Sequence, residues 1–168
     1  MQTVEQTILR HLIHNEEFSR KVSPFLRSEY FSDRCDKVVF EMASNFISTY
    51  NSLPATEALH ITLSERKDLT QAEFDGCTEM LNIMKEKPEV VKQDWLFDTT
   101  EKFCQQRAVY NAIMESIQII DGKSKSQSEN AIPHILSDAL AVSFDAHIGH
   151  DYIEDADSRF DFYHKVEN

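Results

Sequence analysis

Residues 93–121 read "QDWLFDTTEKFCQQRAVYNAIMESIQIID", a run with neither Gly nor Pro. Nothing in it stops a helix, and the next residues, "GKSKSQS", are a loop signal. Leu96, Phe103, Tyr110 and Ile117 recur every seven residues, and Ile113 and Ile120 fill the d-like positions between them. At 1.5 Å per residue such a helix is about 40 Å long. A compact unit of about 90 residues, with a radius of gyration near ~12 Å, is only about 30 Å across. Part of the arm is therefore expected to protrude. After the loop, "NAIPHILSDALAVSFD" supplies a return helix, with Ile132, Ile135, Ala139 and Val142 on one stripe and Leu136, Leu140 and Phe144 on the next. The apolar arc of this hairpin is wider than one partner arm can cover, so it calls for a second molecule.

Upstream of the arm, helical periodicity continues, and the few Gly and Pro residues fall between the periodic stretches. Val4, Ile8, Leu9, Leu12 and Ile13 make one face, and a short helix over 16–22 ends before Pro24. "SEYFSD" turns the chain into a helix carrying Val38, Val39, Met42, Phe46, Ile47 and Tyr50, which stops at "NSLP". "ATEALHITL" begins another after Pro54. Thr70 with Glu73 reads as a capping box opening a helix with Phe74, Cys77, Leu81 and Met84 on one stripe, and Pro88 closes this part. The expected architecture is all-α: a head of about five helices over 1–92, a helical hairpin over 93–146, and a linker with a docking helix over 147–168.

Downstream, "FDAHIGHDYIEDAD" at 144–157 crowds two histidines among carboxylates. On one continuous helix His147, His150 and Asp151 would share a face, as metal ligands require. Gly149 breaks that geometry and reads as a helix C-terminal cap, with Asp151 and Glu154 as the capping pair of a new helix. No metal site is expected here. In the following helix Ile153, Ala156, Phe160 and Tyr163 form a stripe at +3, +4 and +3, which needs a surface to lie on.

Composition excludes several classes of function. A formal charge of −12 over 168 residues argues against strong direct binding of nucleic acid, whose grip on phosphate rests on Lys and Arg. No segment suits a membrane span or a signal peptide, so a cytoplasmic protein is expected, in the bacterial host if the chain is phage-encoded. Cys35, Cys77 and Cys104 are odd in number and far apart, which fits reduced, buried thiols.

The order of "EQTILRHLIHN", "SEYFSDRCDKVVFEMASNF", "LPATEAL", "QQRAVYNA" and "AIPHILSDALAVSFDAHIGHD" resembles the N-terminal region of DnaB-type replicative hexameric helicases. "QQRAVYNA" and "SFDAHIGHD" point to the T-even bacteriophage branch, whose helicase works in a helicase-primase complex. The resemblance implies a helical head, a hairpin through which subunits pair, and a linker helix that docks on a neighbouring motor domain. On that reading Phe103, Tyr110, Ile113, Ile117, Ile120, Ile132 and Ile135 are the pairing residues, and Ile153, Phe160 and Tyr163 dock the linker. It also implies a dimer or hexamer collar, with primase and a helicase loader as partners in DNA replication. The family's motor uses ATP and Mg through a P-loop, G-x-x-x-x-G-K-[ST], and no such string occurs here. No catalytic residue and no cofactor are assigned to these residues, which read as a non-catalytic N-terminal part cut before the motor. Two alternatives stand beside this reading. One is a small metal-dependent hydrolase using His147, His150 and Asp151 with Glu154 as acid or base, and the other is an acidic regulatory protein complete at Asn168.

Overall fold

The structure, a computed structural model, describes residues 2–144. Among these residues every regular element is helical: α1 (Val4–His14), α2 (Glu16–Val22), α3 (Arg34–Tyr50), α4 (Thr56–Glu65), α5 (Gln71–Met84), α6 (Gln93–Ile120) and α7 (Ile132–Leu140). Short 3-10 turns at Ser28–Tyr30 and Glu129–Ala131 precede α3 and α7. No helix among the described residues is long and apolar enough to cross a membrane. The chain divides into two compact units, Met1–Arg107 and Ala108–Asn168, and the division falls inside α6.

In the first unit the helix boundaries follow local capping chemistry. Thr3 and Gln6 form a reciprocal box at the start of α1, with Gln6 N–H donating to Thr3 Oγ1 at 3.1 Å. Asn15 ends α1 and also starts α2, its Oδ1 accepting from Phe18 N–H at 3.0 Å. Asp33 caps α3 in the same way through Asp36 N–H at 3.0 Å, and the far end closes on Asn51 in the left-handed region, φ 51°. Thr70 and Glu73 make the box expected for α5, at 3.1 Å and 2.9 Å. Thr70→Ala leaves an orphan N–H at that terminus and is expected to cost about 1 kcal/mol, read as a lowered midpoint in urea with an unchanged slope.

The C-terminus of α5 has no glycine cap. Its last carbonyls are met from α1: Arg10 Nη2 donates to the Ile83 carbonyl at 3.3 Å, and His14 donates through Nε2 to the Met84 carbonyl at 2.6 Å. Ile8, Leu9, Leu12 and Ile13 of α1 are buried as their spacing requires, whereas Val4 on the first turn is exposed. The core gathers around two aromatic groups. Phe18 lies edge-on to His11 and stacks with Phe97 of α6 at 5.9 Å. Phe31 stacks on Phe40 at 5.0 Å and meets Phe103 of α6 at 5.5 Å. Arg107 Nε adds a hydrogen bond to the Tyr30 carbonyl at 2.9 Å. On the surface Arg66 bridges Glu41 and Asp68 while Arg34 bridges Asp68 and Glu73, tying the α4–α5 connection to α3.

One buried carboxylate is held at a cost to this unit. Asp36 is 6 % exposed, and its Oδ1 has no hydrogen-bond partner. Burial first, then the neighbouring charges of Asp33 and Glu5, push its carboxyl up from 3.8 to about 6. The folded state thus binds more protons than the unfolded chain between those values, and stability falls as pH rises through that window. Asp36→Asn is therefore expected to raise stability at pH 7 by about 2 to 3 kcal/mol, a gain that shrinks toward zero near pH 4. Urea melts of both proteins from pH 4 to 8 check this, and a gain independent of pH would contradict it.

Two differences from the sequence expectation concern the second unit and the thiols. The return helix α7 ends at Leu140, short of Val142 and Phe144, which had been placed on its stripes. Its last turn tightens, Ala141 N–H reaching the Ser137 and Asp138 carbonyls and Val142 N–H the Ala139 carbonyl, and the β-branched Val142 followed by Ser143 favours leaving the helix. Cys77 and Cys104 are buried, and burial pushes both thiols up to about 12, but Cys35 is only half-buried.

Candidate subunit-association surface

The heptad stripe of α6 changes character along its length. Leu96 and Phe103 are buried in the first unit, whereas Tyr110 and Ile117, the next two members of the same repeat, are exposed. In the second unit the buried face of α6 is made instead by Ala108, Ala112, Ser116 and Ile119, at +4, +4 and +3. Ser116 Oγ donates to the Ala112 carbonyl at 2.7 Å, so its hydroxyl is satisfied within the helix.

Opposite this face stands an apolar stripe. Tyr110, Ile113, Met114, Ile117 and Ile120 are each between 42 % and 61 % exposed. At about 100° per residue these five fall within an arc of about 120°, centred far from the buried small residues, and they run for about 15 Å along the axis. Apolar side chains scattered singly on a surface require no explanation, but five on one helical face form a continuous patch. α6 then ends in a Schellman motif: Gly122 at φ 73° donates N–H to the Ile119 carbonyl, and Lys123 N–H reaches the Gln118 carbonyl. Glycine is required there because a side chain at that φ is strained.

Of the pairing residues expected from sequence, Tyr110, Ile113, Ile117 and Ile120 stand exposed on this one stripe. Ile132 and Ile135 of α7 are half-buried. Phe103 lies in the core of the first unit, 6 % exposed and against Phe31, which leaves little of it for another molecule. Met114 was not anticipated, whereas Leu140 belongs to the apolar arc expected of the return helix. Met114 flanks the a and d positions of the heptad, and Leu140, 73 % exposed, is the last residue of α7. The linker residues Ile153, Phe160 and Tyr163, and the cluster of His147, His150, Asp151 and Glu154, lie outside the described residues. Among the described residues no three His, Cys, Asp or Glu side chains converge in a way that could hold a metal ion.

No family model matches the chain. It is 33 % identical over 163 residues to a DnaB-like replicative helicase of Enterobacteria phage T4, a match that takes in 92 % of this chain and 34 % of that protein. The chain thus spans about a third of the length of the curated relative it matches. With its all-α fold, it is related over nearly its whole length to a DnaB-like replicative helicase, to an extent consistent with an N-terminal domain of such a protein.

Proposed function

We propose that this chain is a non-catalytic assembly region of a phage replicative helicase, which pairs subunits into a dimer or hexamer collar. The observation that carries the proposal is the outward apolar stripe Tyr110, Ile113, Met114, Ile117 and Ile120, set opposite the buried face of the same helix. An exposed apolar face of that extent marks an interaction surface, and a second copy presents the same stripe, as an isologous interface requires. In this reading the head is left to receive primase or a helicase loader. Ile153, Phe160 and Tyr163 dock on a neighbouring motor domain, and that motor supplies the ATP and Mg chemistry.

The test is sedimentation equilibrium of the purified chain over three decades of concentration. Reversible dimers or larger rings are expected. A monomer at every concentration counts against the proposal.

A further inference from the structure

Independently of the α6 stripe, two of the three cysteines meet where α3 packs on α5. Cys35, on the first turn of α3, lies within hydrogen-bonding reach of Cys77 on α5. Its sulfur rests on one turn of that helix: Sγ donates to the Glu73 carbonyl at 3.8 Å, and a Cβ at Gly76 would stand 3.0 Å from it. Gly76, the residue before Cys77, thus leaves the Cys35 side chain its room against the α5 backbone.

The two thiols differ in access. Cys77 is fully buried, whereas Cys35 is half-buried and lines an open groove of about 410 Å³ between α1, α3 and α5. One sulfur can be reached by a small solute and the other waits behind it, which is the layout of an attacking thiol with a resolving partner. Burial, then the carboxylates of Asp33, Asp36 and Glu73, raises the Cys35 thiol from 9.0. Burial and the bond to Cys35 push Cys77 up to about 12, against a smaller opposing pull from Arg34 and Arg66. The attacking species is the thiolate, so any such chemistry is slow at pH 7 and quickens as pH rises. A pair of this kind answers sustained oxidation, not a brief pulse.

We propose that peroxide converts Cys35 and Cys77 into a disulfide that locks α3 to α5. Cys35 Sγ, having given up its proton, attacks one oxygen of hydrogen peroxide from the groove side. The O–O bond breaks, the departing hydroxide takes up that proton as water, and Cys35 is left as a sulfenic acid. Cys77 Sγ then attacks the Cys35 sulfur; the S–O bond breaks, and the hydroxide leaves with the Cys77 proton as a second water. The two thiols have lost two electrons and the peroxide has gained them. The cross-link closes a loop of about 40 residues in the unfolded chain, which is where its stabilising effect arises.

The test is peptide mass mapping and thermal melting of the full chain after incubation with excess hydrogen peroxide and capping of the remaining thiols with N-ethylmaleimide. A peptide pair joined through Cys35 and Cys77, two hydrogens lighter than its parts and released by dithiothreitol, is expected, with faster formation at pH 8 than at pH 7. The treated protein should melt about 10 °C or more above the reduced form. Cys104→Ser should behave as the parent does. Cys77→Ala should carry Cys35 on to the sulfinic acid, with no gain in melting temperature. Both thiols still open to N-ethylmaleimide after treatment, cross-links that run between chains or through Cys104, or a Cys35–Cys77 bond with an unchanged melting temperature would each overturn the proposal.

Discussion

Phe31→Ala is expected to remove about 3 to 5 kcal/mol of folding stability, a large share of what a domain of this size possesses. Phe31 is fully buried and belongs to no helix; it follows the 3-10 turn Ser28–Tyr30 and fills the space between α3, through Phe40, and α6, through Phe103. Truncation opens a cavity whose walls come from elements far apart in sequence, so the site cannot collapse without moving a helix. The loss should appear as a thermal midpoint lower by about 10 °C or more. Phe103→Ala is the informative companion, because Phe103 was a candidate for subunit pairing and is found in the core. As a core residue it should lower the melting point of the dilute protein in the same range. Melting unchanged by Phe103→Ala, with association weakened, would assign the ring to an interface and contradict the packing described.

The contrast between Phe103 and Tyr110 shows what was legible in the sequence. The boundaries of α1 to α6 were readable because capping is local: Thr70 with Glu73, Asp33 before α3 and Gly122 after α6 act within a few residues of themselves. The heptad was equally readable, yet Leu96, Phe103, Tyr110 and Ile117 are alike as a pattern, and only tertiary packing covers the first two and leaves the others exposed. The length of α7 is not legible, because apolar spacing persists to Phe144 after the backbone has left the helix at Leu140. The burial of Asp36 is not legible. Asp36, three residues after the cap Asp33, looks like any first-turn acid, and its burial depends on α1 and α5 arriving from either side. The same holds for His14 on the Met84 carbonyl, a bond between residues 70 positions apart.

Tyr110→Asp combined with Ile117→Asp is expected to weaken self-association by about 100-fold or more while leaving the folded monomer intact. Both side chains are exposed on α6, so neither substitution opens a cavity and the fold is expected to persist. At an interface the same carboxylates would have to be stripped of water with no cation opposite, at a cost of several kcal/mol, and central aromatic or aliphatic anchors carry most of such binding energies. Charge alone is a competing explanation, because a chain of net charge −12 repels its copies and two more acids add to that repulsion. Tyr110→Lys with Ile117→Lys separates the two effects: it reduces the magnitude of the negative net charge yet still places ions in the patch. If the stripe is the pairing surface, both double variants sediment as monomers at concentrations where the parent associates, with melting curves at low concentration that match the parent's. Association restored by the Lys pair would show that repulsion, and not burial of the stripe, had governed the Asp result, and the proposed collar would lose the observation that carries it.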